Sequence, residues 1–130
     1  MQIVGLDHIQ LAMPAGGEPA ARRFYGQLLG LAEMRKPAPL DARGGCWFMG
    51  VGLQIHLGVE RQFAPARKAH PAFLVADLDA ARGALAEAGI AITPDDAVPG
   101  VRRFYAADPF GNRIEFIQSG DGFSQQSFTI

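Results

Sequence analysis

His8, His56 and His70 are all the histidines in the chain, and with Glu115 they are the side chains best suited to hold a divalent cation. Imidazole nitrogen and carboxylate oxygen suit Mn, Fe, Co, Ni and Zn, with selectivity set mainly by geometry and supply. A lone strand histidine is ordinarily a hydrogen-bonded structural residue. Four ligand-type residues at related positions are a different matter. Buried without partners they are costly, and a single metal ion partners all of them. A solvated cup of polar residues is the alternative.

The relation between the four comes from a repeat. Gly52-Leu-Gln-Ile-His-Leu57 aligns with Gly111-Asn-Arg-Ile-Glu-Phe116, which makes His56 and Glu115 equivalent, and His8 falls on His70. Each half reads strand, helix, three strands, and self-similarity at this scale marks repeated supersecondary units. In the first half, Leu6 to Met13 alternates as a strand. Pro19 to about Leu29 carries the stripe Ala21, Phe24, Tyr25 and Leu28 before Gly30, as a helix does. Strands are expected near residues 31–36, 46–50 and 53–58. In the second half, His70 to Ala76 is the strand, and Asp77 or Asp79 caps a helix ending at Gly89. Strands follow near 90–93, 101–107 and 112–118, with Asp108-Pro-Phe-Gly-Asn112 as a turn.

Strand alternation assigns the faces. Ile9, Leu11, Ile55, Leu57, Phe73, Val75, Ile114 and Phe116 go with the helices. His8, Gln10, Gln54, His56, His70 and Glu115 then lie on the opposite face. Curling the sheet turns that face into a cavity. The expected fold is α+β: two βαβββ modules forming a cupped mixed sheet with helices on the outer face. The 130 residues then make one domain, with module one at about 5–59, module two at about 69–119 and a tail at 120–130 to which no role is assigned.

Arginines and aromatics supply candidates for holding a substrate. Arg113 shares the face of Glu115, and one of Arg102 or Arg103 also points inward, Arg103 being the candidate. Either can bind a carboxylate or phosphate bidentately, or sit as a solvated or ion-paired edge residue. Trp47 and Phe48 alternate, so one can wall the pocket, with core packing the simpler role for both. Tyr105 is a candidate acid or base of ambiguous parity. Arg67-Lys68 reads as solvated linker charge, and Cys46 as a packed small hydrophobe.

Composition narrows the classes. A net charge of −1 and a pI near 6.3 give no basic field for nucleic acid or anionic membrane. No apolar stretch approaches the roughly 20 residues of a bilayer span. With a lone cysteine and no leader pattern at the N-terminus, a reduced cytoplasmic setting is expected.

The segments LDHIQLAM, FYGQLLGL, HPAFLVADLDAA and DPFGNRIEF resemble the vicinal oxygen chelate superfamily across roughly residues 5 to 119. That superfamily groups glyoxalase I, bleomycin-resistance proteins, fosfomycin-resistance thiol transferases, methylmalonyl-CoA epimerase and extradiol dioxygenases. The resemblance implies His8, His70 and Glu115 as a two-His-one-carboxylate set, with His56 where glyoxalases carry a second carboxylate. It implies a glyoxalase-like metal enzyme of isomerase or lyase type acting on a small oxygen-rich molecule, with Glu115 or His56 moving a proton. Gln10 stands where the fosfomycin-type transferases tend to carry a hydroxyl residue. The alternatives are an Fe(II) extradiol-type dioxygenase and, in another class, a metal-free binding protein like the bleomycin-resistance members. A homodimer is also implied.

Overall fold

The computed structural model describes residues 1–127; the last three residues of the expected tail, 128–130, lie outside the described residues. The chain divides into two compact units, Met1–Pro65 and Ala66–Ile130. Each is a βαβββ module, as the repeat requires, and each builds its own four-stranded mixed sheet.

In the first unit, β1 (Ile9–Met13) lies parallel beside β4 (Leu53–Val59), followed by the antiparallel β3 (Cys46–Gly50) and β2 (Ala32–Met34). The register pairs Ile9 with Ile55 and Leu11 with Leu57, so the apolar residues of both strands share a face. That face packs on the helical segment, where Tyr25 is fully buried and its ring stacks 5.7 Å from Phe48. The segment starts as α-helix, α1 (Glu18–Ala21), and continues through Arg22–Leu28 in wider π-type turns, closed by the Leu29 N–H on the Phe24 carbonyl. The 3.6-residue stripe read from the sequence finds the right face without distinguishing these bonding patterns.

In the second unit, β5 (Ala72–Val75) lies parallel beside β8 (Arg113–Gln118), followed by the antiparallel β7 (Arg103–Ala107) and the short β6 (Thr93–Pro94). Phe73, Phe104, Ile114 and Phe116 form its core, with Phe104 and Phe116 stacked at 5.2 Å. The helix α2 (Leu78–Glu87) buries Leu78 and Leu85 and lays Arg82 over the Phe104 ring. Asp77 is its cap, accepting from the Ala80 N–H at 3.0 Å. Gln118 ties helix to sheet, accepting from the Leu78 N–H and donating to the Ala76 carbonyl.

Several strands start later than expected, β6 at Thr93 and β7 at Arg103 among them. β1 begins at Ile9 and β5 at Ala72, so His8 and His70 sit just ahead of their strands. Leu6, expected at the start of β1, is exposed with Ile3 and Val4, because β4 begins only at Leu53, opposite position 7. Alternation alone does not make a strand where the partner has run out. No helix among the described residues is long and apolar enough to cross a membrane.

Candidate functional site

The two sheets carry the same row of positions on the face away from their helices. In the first it reads Gln10, His56, Trp47, Met34; in the second, Ala72, Glu115, Tyr105, Thr93. His56 and Glu115 are therefore structural equivalents. Gln10 falls on Ala72, so counting back two residues makes His8 and His70 equivalent too. Tyr105, ambiguous from sequence, is fixed by its pairing on the Glu115 face, as Trp47 is on that of His56.

In the first unit the three rings of His8, His56 and Trp47 stack. His56 is sandwiched, 4.0 Å from the His8 ring and 3.9 Å from Trp47, with only 4° between the planes of the latter pair. Trp47 is thus a wall of the site, not core as its simpler role would have it. His56 is 4% exposed, and burial, with His8 beside it, holds its pKa below the ordinary histidine value. Its Nε2 lies 3.2 Å from Gln54 Oε1, which orients the ring. Gln10 lies over Gly58, where any side chain would collide with its amide. It faces a 250 Å³ cavity shared with Trp47, Lys36 and Arg43.

In the second unit Glu115, also 4% exposed, is engaged at both oxygens. Its Oε1 lies 2.9 Å from His70 Nε2, and its Oε2 accepts from Arg103 Nη1 at 3.0 Å. Arg103 continues the chain of charges to Asp95 at 3.0 Å and donates to the Tyr105 hydroxyl at 2.8 Å. Asp95 and the His8 partner Asp7 are participants that sequence reasoning missed. Asp95 sits in a Pro/Asp loop whose path no periodicity encodes. Arg102, the alternative to Arg103, points outward to Asp121.

The hydrogen bonds at the histidines bear on whether they suit a metal. His8 Nδ1 lies 2.8 Å from Asp7 Oδ1, and His70 Nδ1 lies 2.7 Å from the Lys68 carbonyl. Both oxygens only accept, so each Nδ1 carries the proton, and in the neutral rings Nε2 presents a lone pair. A histidine that donates one ring N–H to a carboxylate or carbonyl and offers the other nitrogen has the outer-shell arrangement of a metal ligand. In that neutral form His70 turns its Nε2 lone pair toward a carboxylate oxygen, an arrangement a cation relieves. By residue type, though not as an assembled cluster, the four suit a His-and-carboxylate site. Each unit brings together one pair, His8 with His56 and His70 with Glu115. Among the described residues no group of three or more His, Cys, Asp or Glu that could hold a metal ion is assembled.

Known proteins share this fold. Residues 5–116 match the family model of the Glyoxalase/Bleomycin resistance protein/Dioxygenase superfamily. Among solved structures, a protein assigned to the glyoxalase family from Bacillus anthracis is 50% identical with a TM-score of 0.87, covering 91% of this chain and 97% of its own. A glyoxalase/dioxygenase from Nostoc punctiforme is 27% identical with a TM-score of 0.67, covering 84% and 88%. The fosfomycin resistance protein FosX from Listeria monocytogenes shares the fold at 18% identity with a TM-score of 0.74, covering 97% of this chain and 100% of its own. Among curated proteins no sequence matches. The chain belongs to the Glyoxalase/Bleomycin resistance protein/Dioxygenase superfamily.

Proposed function

We propose that this protein is a glyoxalase-like enzyme, dependent on a divalent metal (Fe, Mn, Ni, Co or Zn), that moves a proton on a small oxygen-rich metabolite in an isomerase- or lyase-type reaction. His8, His56, His70 and Glu115 hold the metal, and the protein works as a homodimer whose two modules function as one domain. The observation that carries the reading is the shared bonding of His8 and His70. Each ties Nδ1 to an oxygen, which makes Nε2 the nitrogen that could ligate; in His70 that nitrogen lies against Glu115 Oε1, a second ligand of the proposed set.

When bound, the metal supplies Lewis acidity toward two adjacent substrate oxygens. The rest is done by the chain. His56 is kept neutral by burial and its Nε2 is fixed by Gln54, so Nδ1 is the nitrogen with a lone pair, which accepts a proton when it does not ligate the metal. Glu115 is the second candidate base, its charge balanced by Arg103. Trp47 and Tyr105 wall the two half-sites and limit water, and Gln10 offers its amide to a substrate oxygen. Arg113 orients an anionic end.

The test is deuterium entry from D₂O into the carbon beside the carbonyl of small hydroxycarbonyl compounds, followed by NMR. Wild type should exchange it, and Glu115→Gln should lose at least about a hundredfold in rate. Oxygen uptake with catechols in place of exchange would instead support the Fe(II) extradiol-type dioxygenase. A second reading draws on the engagement of both Glu115 oxygens by His70 and Arg103, which leaves the carboxylate satisfied without a metal. That favours a small-molecule binding protein like the bleomycin-resistance members. Ligand affinity with neither exchange nor oxygen uptake would support it and reject the enzyme.

A further inference from the structure

We infer that the second unit carries an oxyanion-binding groove, formed by Arg67 and Arg113 beside Tyr105, that takes a carboxylate or phosphate group of a ligand. The groove encloses about 410 Å³, and no acidic residue lines it. Three other arginines are neutralised by carboxylates: Arg22 by Glu33, Arg102 by Asp121, and Arg103 by both Glu115 and Asp95. Arg113 and Arg67 have no carboxylate partner among the described residues.

The Arg113 side chain and the backbone leading into Arg67 are held in place. The Arg113 guanidinium carbon lies 3.8 Å from the Tyr105 ring centroid, so one face of the fork is covered while its edge of N–H donors remains available. Arg67 owes its place to a clamp on the preceding residue. Ala66 donates its N–H to Asn112 Oδ1 at 3.1 Å and accepts at its carbonyl from the Arg113 N–H at 2.9 Å. Asn112 is buried and fixed by donating to Asp108 Oδ2 at 3.0 Å. The DPFGN turn therefore does more than reverse the chain: it ties the segment that carries Arg67 to the start of β8, so that two cationic residues line one groove, a lining suited to a bound anion.

Arg113 and Glu115 are two residues apart on one face of β8, which places the groove roughly 7 Å along the strand from the carboxylate. A ligand spanning both would carry its oxyanion a few bonds from the oxygens handled at Glu115. That anchoring role rests on the function proposed above; the groove itself does not.

The experiment is a calorimetric titration of the chelator-treated full chain with inorganic phosphate and, separately, malonate, at low chloride. Wild type should saturate, and Arg113→Gln should bind at least about tenfold more weakly, the loss expected for a bidentate charged contact. Arg67→Gln should weaken binding less, about threefold or more. Arg102→Gln, at an exposed and already paired arginine, should match wild type. Tighter phosphate would mark a phosphorylated or phosphonate ligand and tighter malonate a carboxylic acid; either order supports the groove. Arg113→Lys, which keeps the charge and loses the fork, should bind between wild type and Arg113→Gln, guarding against a folding defect. Failure of wild type to saturate, or equal weakening in Arg102→Gln, would overturn the proposal. Phosphate binding through Arg113 in a protein that takes up no metal would reject the metal reading alone.

Discussion

Trp47, His56 and His8 show how a residue's chemistry is set by what lies on either side of it. With an indole on one face and an imidazole on the other, protonating His56 requires charging a ring that solvent barely reaches. Its folded pKa lies below that of the unfolded chain, so the unfolded state binds the extra proton as pH falls. Stability of the chelator-treated protein should be full above the ordinary value of 6.5, fall as pH drops through it, and level off below the folded pKa. Urea denaturation across that range checks this, and His56→Gln should flatten the decline; an unchanged decline would assign it to other groups. Cys46, buried against Leu57 on the helix face, has its pKa pushed up to about 11 by burial. Its thiol should resist alkylation at pH 8 in the folded protein and react freely once unfolded, and rapid native labelling would contradict its role as packing.

Elements place these residues, and here the legibility of the sequence can be judged. Period-two alternation assigned Ile55, His56 and Leu57 to their faces correctly because a strand buried on one side leaves no freedom of register. The same rule overextended β1 through Leu6, since alternation carries no information about where the partner strand stops. Arg67 is exposed, as expected of a linker charge. Its relation to Arg113 depends on a clamp between residues 46 positions apart, which local pattern does not reveal. Gly45 is a similar case. It has a φ of +81°, and a Cβ there would run into the Leu57 carbonyl on the neighbouring strand. Gly45→Ala should cost about 2 kcal/mol or more in chemical denaturation, combining a left-handed backbone with a backbone clash. A variant as stable as wild type would show that β3 can shift away from β4 without penalty.

At the scale of the whole molecule, the chain is one supersecondary design used twice with different chemistry at matched positions. The first copy contributes two imidazoles and an indole, the second an imidazole, a carboxylate and a tyrosine. The matched row across each sheet is why four ligand-type residues could be found from an internal alignment alone. The charge network around Glu115 could not be, because Asp95 reaches Arg103 from a loop. Membership of the superfamily follows from the match over residues 5–116, while the central claim here is that His8, His56, His70 and Glu115 together bind a divalent metal. The most direct test is metal content by mass spectrometry on protein purified without a histidine tag or chelator, wild type beside Glu115→Ala. Near-stoichiometric metal in wild type, lost in the variant, is the result the account predicts. A wild-type protein that stays empty after reconstitution with each of Fe, Mn, Co, Ni and Zn would contradict it.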